Sequence, residues 1–400
     1  MKLGIIREGK TPPDKRVPLT PPQCVTLRER FPELDLVVQE SPIRTFHDED
    51  YRDHSIPVVP SLDDRDIIMG VKEVPLDMLI PEKTYFFFSH TIKEQPYNRK
   101  LLQEILKKNI RLVDWECLRN EKGYRIIGFG RYAGVVGAYN GFRTWGLRYG
   151  GFDLKPPHLC HDHAELLQQL KAVNLTPIKI LLTGRGRVAH GALEILEALK
   201  IRKVTPDDFL KKTFDEPVFC NVCIEDYIKH PSGEPMVPAH FHLHPEQYES
   251  DFYKFARVTD MLITGHFYAE GAPYFYTRED ARKADFRIRV VADISCDIDG
   301  PVASTIRPST IEDPIYGYDP ITEKETDFRN ENAIAVMAVD NLPCELPRDA
   351  SRDFGNEIIS SVIPEIMKGD PRGIIRNATI TEAGKLTPTY SYLQDYVDGK

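Results

Sequence analysis

The sequence predicts an α/β protein of two lobes, each built on a mostly parallel sheet. Three observations carry that expectation. Short apolar runs that read as strands alternate with stretches that read as helices, the order that produces βαβ units. At 178–200, IKILLTGRGRVAHGALEILEALK, one such run turns through glycines straight into a helix. A chain of 400 residues also exceeds what a single core comfortably serves.

In chain order, a strand at 2–9 ends in the charged loop Arg7-Glu8-Gly9-Lys10, and a helix follows at 22–31. Strands read at 34–39, 65–71, 84–88 and 110–114, and helices at 48–54 and 98–108. A further strand is expected at 125–130. The small-residue-rich stretch 132–149 reads as a long helix crossing between the lobes. Strands continue at 178–182, 218–222, 261–264, 289–293 and 333–339. The segment 225–249, with four prolines and four histidines, reads as an irregular insertion. The amphipathic stretch 356–367 is expected to return the chain to the first lobe. This gives a discontinuous lobe of residues 1–131 and 341–400 around a lobe of residues 132–340.

Bulk properties narrow the function classes. A formal net charge of −9 without a basic run argues against a nucleic-acid surface. No apolar run is long enough to span a membrane, and MKLGIIRE lacks a signal-peptide core, so a cytoplasmic protein is expected. Seven scattered cysteines fit reduced thiols better than a disulfide framework.

The chemistry gathers at strand ends. After the strand at 178–182, Gly184, Gly186 and Gly191 punctuate a G-x-G-x-x-x-x-G turn into a helix. A turn of this kind points unpaired N–H groups and the positive helix end at one spot, which suits a pyrophosphate. The spacing is one residue longer than the usual dinucleotide fingerprint, and a ligand-free strand-to-helix turn would look the same. In the first lobe Lys72, His90 and Glu116 each follow an apolar strand, and ligands of open parallel sheets sit beyond such ends. Lysine and histidine there are candidate acid/base groups, because burial and neighbouring charge move their pKa values readily. Arg16, beside Asp14 in a proline-bordered loop, could clamp a substrate carboxylate, though it also suits a solvated loop charge.

Two other patterns carry less. Cys220 and Cys223 have C-x-x-C spacing without a second pair, so they read as small core residues of a strand. His240, His242 and His244 alternate on what reads as an extended segment, with no cysteine or carboxylate arrangement to make a metal site specific. No metal is expected.

Several segments taken together resemble a known superfamily. GIIREGKTPPDKRVPLTP, GVKEVP, FGRYAGVVGA and AVDNLP are similar to the alanine dehydrogenase, transhydrogenase and saccharopine dehydrogenase superfamily. KTYFFFSHTIKEQ, NLPCELPRDAS and ATITEAGKLTPTYSYLQDY resemble the lysine–ketoglutarate reductase part of aminoadipate semialdehyde synthase, and the similarity runs from Lys2 to about Val397. The resemblance implies two Rossmann-like lobes facing across a cleft. It implies that Lys72 and His90 are the acid/base pair and that Arg16 holds a substrate carboxylate. Asp14, Glu73 and Glu116 would line the amine-binding side. Gly184, Gly186 and Gly191 would carry the dinucleotide phosphates, with Asp340 near its nicotinamide end; Arg185 and Arg187, which fill the variable places of a family loop of the form G-T-G-N, are expected at the cofactor by their charge. The chain ends at Lys400, so either a saccharopine-cleaving partner reaction is expected on a separate chain or the physiological substrate differs.

The expected activity is therefore an NAD(P)-dependent oxidoreductase acting on a C–N bond, with an amino acid and a 2-oxo acid as small-molecule partners. Saccharopine chemistry is the specific expectation. An alanine dehydrogenase-type oxidative deaminase and a non-catalytic nucleotide-sensing protein of the same fold are the alternatives. NADP(H) is expected over NAD(H). The acid that receives ribose hydroxyls falls about 20 positions beyond the first glycines, and Val204-Thr205-Pro206 holds none there. Arg185, Arg187, Arg202 and Lys203 lie nearby, although Asp207 and Asp208 follow closely. Neither the substrate, the direction of flux nor the oligomeric state is legible.

Overall fold

In the computed structural model, which describes residues 1–269 and 271–400, the chain divides into two compact units. Met1–Phe129 with Pro347–Lys400 form the first, and Gly130–Leu346 the second.

The first unit holds an eight-stranded sheet. Its order is Lys385–Leu386, Thr379–Glu382, Arg111–Asp114, Thr84–Phe87, Ile67–Met69, Lys2–Ile5, Asp35–Gln39 and Val58–Val59. Neighbours are parallel except at the C-terminal edge, where Thr379–Glu382 runs antiparallel to both its partners. Strand interiors such as Tyr85, Phe86 and Phe87 are buried, as expected of a sheet covered on both faces. One of the covering helices, Arg99–Lys107, turns Leu101, Leu102 and Ile105 inward. From the central strand Lys2–Ile5 the chain builds outward first on one side, through Asp35–Gln39, and then on the other, through Ile67–Met69. Such a reversal leaves a crevice at the carboxyl ends of the two diverging strands.

The second unit repeats the plan. Its sheet runs Lys324–Thr326, Ile315–Asp319, Ile334–Met337, Val290–Asp293, Met261–Thr264, Lys179–Thr183, Val218–Val222 and Arg202–Lys203. Ile315–Asp319 runs antiparallel to both its neighbours, and the other neighbouring strands are parallel. Here the reversal falls at Lys179–Thr183, flanked by Val218–Val222 and Met261–Thr264. The α/β class with two mostly parallel sheets is thus as the sequence predicts. The antiparallel edges were not anticipated; Lys385–Leu386 and Lys324–Thr326 are only two and three residues long.

Three local expectations are corrected. Residues 125–130 form no strand: Arg125 makes a single bridge to Arg119, and the Gly128 N–H leaves to donate to Glu357 Oε2 at 3.0 Å. The helix Gly130–Tyr149, read as a crossing segment, belongs to the second unit and packs on Arg187–Ala198. A Cβ on Gly134 would lie 1.9 Å from the Val188 carbonyl oxygen, so the two backbones meet directly. The 225–249 segment is structured. Helices Ile224–Tyr227 and Pro238–Leu243 lie in it, and a ribbon of Ile228–Lys229 with Glu249–Ser250 closes it. Pro238 starts its helix at a position where a missing N–H costs nothing. The helix breaks the alternating histidine face. His240 and His244 come together, rings 4.9 Å apart, and His240 Nδ1 meets the Tyr248 hydroxyl at 2.9 Å. Among the described residues, no helix is long and apolar enough to cross a membrane.

Candidate functional site

Four adjacent parallel strands of the first unit deliver charged residues to one end of the sheet. Lys2–Ile5 leads to Glu8, Ile67–Met69 to Lys72 and Glu73, Thr84–Phe87 to His90, and Arg111–Asp114 to Glu116. Glu73 sits between two of the others. It accepts from Lys10 Nζ at 2.7 Å and pairs with His90 Nδ1 at 2.7 Å. Burial pushes the Glu73 carboxyl up, but the His90 and Lys10 bonds outweigh it and hold the group at about 2. With Nδ1 engaged, the imidazole presents Nε2 as its other face. His90 itself has φ 54°, a left-handed conformation unusual for a side-chain-bearing residue, where the strand breaks into a short turn.

Behind His90 lies a buried scaffold. Asp114 accepts from the Ser89 N–H at 3.0 Å and the Glu116 N–H at 2.8 Å, and also takes the Ser89 hydroxyl. One carboxylate thereby fixes the loops carrying His90 and Glu116, although burial drives its pKa up. Glu116 Oε1 reaches Arg125 at 3.5 Å and Lys93 at 4.0 Å, while its Oε2 is buried with no hydrogen-bond partner among the described residues.

Asp14 and Arg16 arrive as a single unit. Arg16 donates from its backbone N–H and from Nε to Asp14 Oδ1, both at 3.0 Å, and from Nη2 to Oδ2 at 2.5 Å. Both are nearly inaccessible, and the guanidinium lies 4.1 Å over the Phe129 ring. Burial raises the Asp14 pKa, but the Arg16 charge and hydrogen bonds, with Lys72 behind them, hold it well below the usual carboxylate range. Phe129 stacks on Phe354 at 4.5 Å, and Phe88, beneath Arg125, completes an apolar floor under the charges.

The second unit offers a site of another kind. Gly184 has φ +95°, and a Cβ there would lie 2.3 Å from the Gly265 carbonyl oxygen, so only glycine fits. Asn221 Nδ2 donates to the Gly184 carbonyl at 2.8 Å and steadies the turn. Gly186 precedes the helix Arg187–Ala198 with open space around it, and no side chain caps that helix start. The first-turn N–H groups therefore suit an anion, and the residues present fit a dinucleotide pyrophosphate. Gly191 sits apart from the turn. Its Cβ position lies 1.9 Å from the Arg131 carbonyl oxygen, so this glycine serves helix packing. Asp340 is exposed, in the turn after Ile334–Met337.

Counting forward about 20 positions from the first glycines leads to the edge of the sheet. The strand after the glycine helix, Arg202–Lys203, is the sheet's outer edge, and the neighbour of Lys179–Thr183 is Val218–Val222. Three residues beyond that neighbour is Glu225, which Arg185 Nη1 contacts at 2.9 Å. Sequence reasoning also passed over Glu8, Lys10 and Asp114. Glu8 and Lys10 had a signal, since both follow the first strand in its charged loop.

Residues 4–136 match the family model of the alanine dehydrogenase/PNT N-terminal domain. Over 437 residues the chain is 28% identical to the alpha-aminoadipic semialdehyde synthase of Arabidopsis thaliana, covering 98% of this chain and 41% of that protein. It is 26% identical over 383 residues to the saccharopine dehydrogenase (NAD(+), L-lysine-forming) of Candida glabrata, covering 90% and 91%. An L-alanine dehydrogenase structure shares the fold at a TM-score of 0.67 and 16% identity, across 100% of this chain and 99% of that one. Along most of its length the chain is thus similar to semialdehyde synthases and saccharopine dehydrogenases, and it shares its fold with an alanine dehydrogenase. It spans less than half the length of the semialdehyde synthases it matches. The stretch matching the superfamily's N-terminal domain model contains the whole strand-end cluster, from Glu8 to Glu116.

Proposed function

We propose that this chain is an NAD(P)-dependent oxidoreductase acting on the C–N bond of an amino acid, and that its reaction is saccharopine chemistry. The single observation that carries the reading is the Lys72, Glu73 and His90 arrangement on adjacent strand ends, with His90 tied to Glu73 at 2.7 Å. Joining lysine to 2-oxoglutarate requires loss of a proton from the amine, protonation of the departing hydroxyl and loss of water. Lys72 and His90 share those transfers, and Glu73 orients the imidazole. Arg16, held flat on Phe129 by Asp14, supplies positive charge for a substrate carboxylate. The unpartnered Glu116 Oε2 is an acceptor for the incoming ammonium. A bound nicotinamide would supply or accept the hydride. Gly184, Gly186, Arg185 and Arg187 would hold its phosphates, with Asp340 toward the nicotinamide end. Seven free cysteines suit a reducing compartment, the cytosol in this reading.

The same reading assigns NADP(H) over NAD(H), on Arg185 and Arg187 at the turn. The missing acid at Val204-Thr205-Pro206 no longer supports it, because that stretch follows the edge strand. The preference now rests on Arg185 neutralising Glu225 in place. A cofactor-oxidation assay over pairs of amino acids and 2-oxo acids tests the activity. Turnover with lysine and 2-oxoglutarate is expected. Turnover only with ammonia and pyruvate would indicate the deaminase, and turnover with no pair at all overturns the enzymatic reading. Fluorescence titration tests the preference: tighter NADH than NADPH binding at physiological salt removes it.

A further inference from the structure

The crevice of the first sheet lies where Lys2–Ile5 and Ile67–Met69 diverge, and a buried carboxyl spans it. Glu8, carried just beyond the first strand, accepts from the Val71 N–H at 2.7 Å and from the Lys72 N–H at 2.9 Å. Those two N–H groups lie past the last ladder bond between the strands, Ile6 N–H to the Met69 carbonyl at 3.0 Å. Without Glu8 they would be buried strand-end donors lacking a sheet partner. From the opposite side, the Phe88 N–H donates to the Val71 carbonyl at 3.0 Å, two residues before His90. The peptide leading into Lys72 is thus gripped on one edge by Glu8 and on the other by the strand that carries His90. Gly70 allows the close approach, since a Cβ there would lie 2.8 Å from Ile6 Cγ2 and 3.4 Å from Glu8 Oε1.

We infer that Glu8 is a positioning residue for Lys72: its two oxygens lock the strand-end backbone from which the lysine side chain reaches its partner atoms. The inference rests on the proposed role of Lys72 and adds a group that role depends on. The grip is also titratable. Burial and the neighbouring Asp14 push the Glu8 carboxyl up to about 8, against the opposing pull of the Val71 and Lys72 N–H groups and Arg16. The charged groups around it are Asp14 and Arg16 from its own loop and Lys72 from the neighbouring strand end. When protonated, the carboxyl keeps one good acceptor for two donors, and the Lys72 peptide is held less firmly.

The test compares Glu8→Gln, Glu8→Ala and Lys72→Met in the full chain with the best substrate pair from the assay panel. Glu8→Gln keeps the volume but turns an NH2 group toward one N–H. It is expected to lower kcat by about one to two powers of ten with cofactor affinity unchanged, and to displace the limb of the kcat/KM pH profile that rises as Glu8 loses its proton. A purely structural carboxyl would change the melting temperature without moving that limb. If Glu8→Ala fails to fold, Glu8→Gln decides alone. Parental kcat and an unshifted pH profile in Glu8→Gln, with Lys72→Met inactive, overturn this inference and leave the role of Lys72 standing. Parental turnover in Lys72→Met removes the role of Lys72, and this inference with it.

Discussion

The two units place their distinctive residues at equivalent points of the same topology and build them from opposite materials. Where the first sheet reverses, a side chain spans the gap: Glu8 takes the N–H groups of Val71 and Lys72. Where the second reverses, there is no room for a side chain, and Gly184 lies against the Gly265 carbonyl. The first crevice is rimmed by ionisable groups that set one another's proton affinities, Glu73 held down and Glu8 pushed up. The second centres on a glycine turn and backbone N–H groups, whose polarity does not titrate, with Glu225 and His266 beside them. Coupled carboxylates, a lysine and a histidine suit proton transfer, whereas a glycine turn and an uncapped helix start suit a phosphate whose charge is constant.

That contrast breaks most sharply if the units fail to separate chemistry from cofactor binding. Lys72→Met and His90→Gln are each expected to lower turnover by about two to four powers of ten. Fluorescence titration of the cofactor should be nearly unchanged in both. Parental rates in both variants would dissolve the proposed division.

Gly184→Ala is the reciprocal experiment. Alanine there meets a left-handed backbone, costing roughly 1–2 kcal/mol, and a carbonyl 2.3 Å away. Cofactor affinity should fall by about tenfold or more, and the melting temperature by several degrees, on the order of that strain. Unaltered titration curves would mean that the dinucleotide does not use this turn.

Arg16→Lys sharpens the first unit's side of the comparison. An ammonium cannot reproduce the two-pronged bond to Asp14 or lie flat on Phe129. Half-saturation for the carboxylate substrate should rise by about tenfold, as for a lost charge-assisted hydrogen bond. Equal saturation curves would return Arg16 to a structural role.

Glu225→Gln probes the carboxylate that Arg185 holds at the second crevice. Removing its charge beside Arg185 should favour NADPH over NADH by a few-fold, about the effect of one partly screened charge. An unchanged ratio would place the ribose elsewhere.

The smallest effect concerns acid stability. Glu73 is held at about 2, below its usual 4.5, so its stabilising contribution is complete above the unfolded value. The contribution drains away as pH falls from about 4.5 to 2. Glu73→Gln should therefore melt with a flatter pH dependence in that window, followed by circular dichroism. Superimposable acid profiles would show that Glu73 is not braced in solution.

The sequence by itself determined the α/β class, because apolar runs and helical stretches alternate at the right lengths. It also determined which residues end the strands, so Lys72, His90 and Glu116 were legible from position alone. The glycine turn was legible too, since Gly184 and Gly186 interrupt an apolar strand and a helical pattern at one point. What tertiary structure decided is adjacency. Arg202–Lys203 follows the glycine helix in the chain yet lies one strand further out, so counting residues led away from Glu225. Gly191 reads as part of a phosphate motif but faces the Arg131 carbonyl of another helix. The alternating histidines suggested an extended face until Pro238 started a helix beneath them. Glu8 looked like one charge in a polar loop, and only the pairing of Lys2–Ile5 with Ile67–Met69, whose registered residues are more than sixty positions apart, brings it to Lys72. Periodicity reports the environment of a residue along its own element, whereas the order of strands in a sheet is set by how distant elements bury one another's apolar faces.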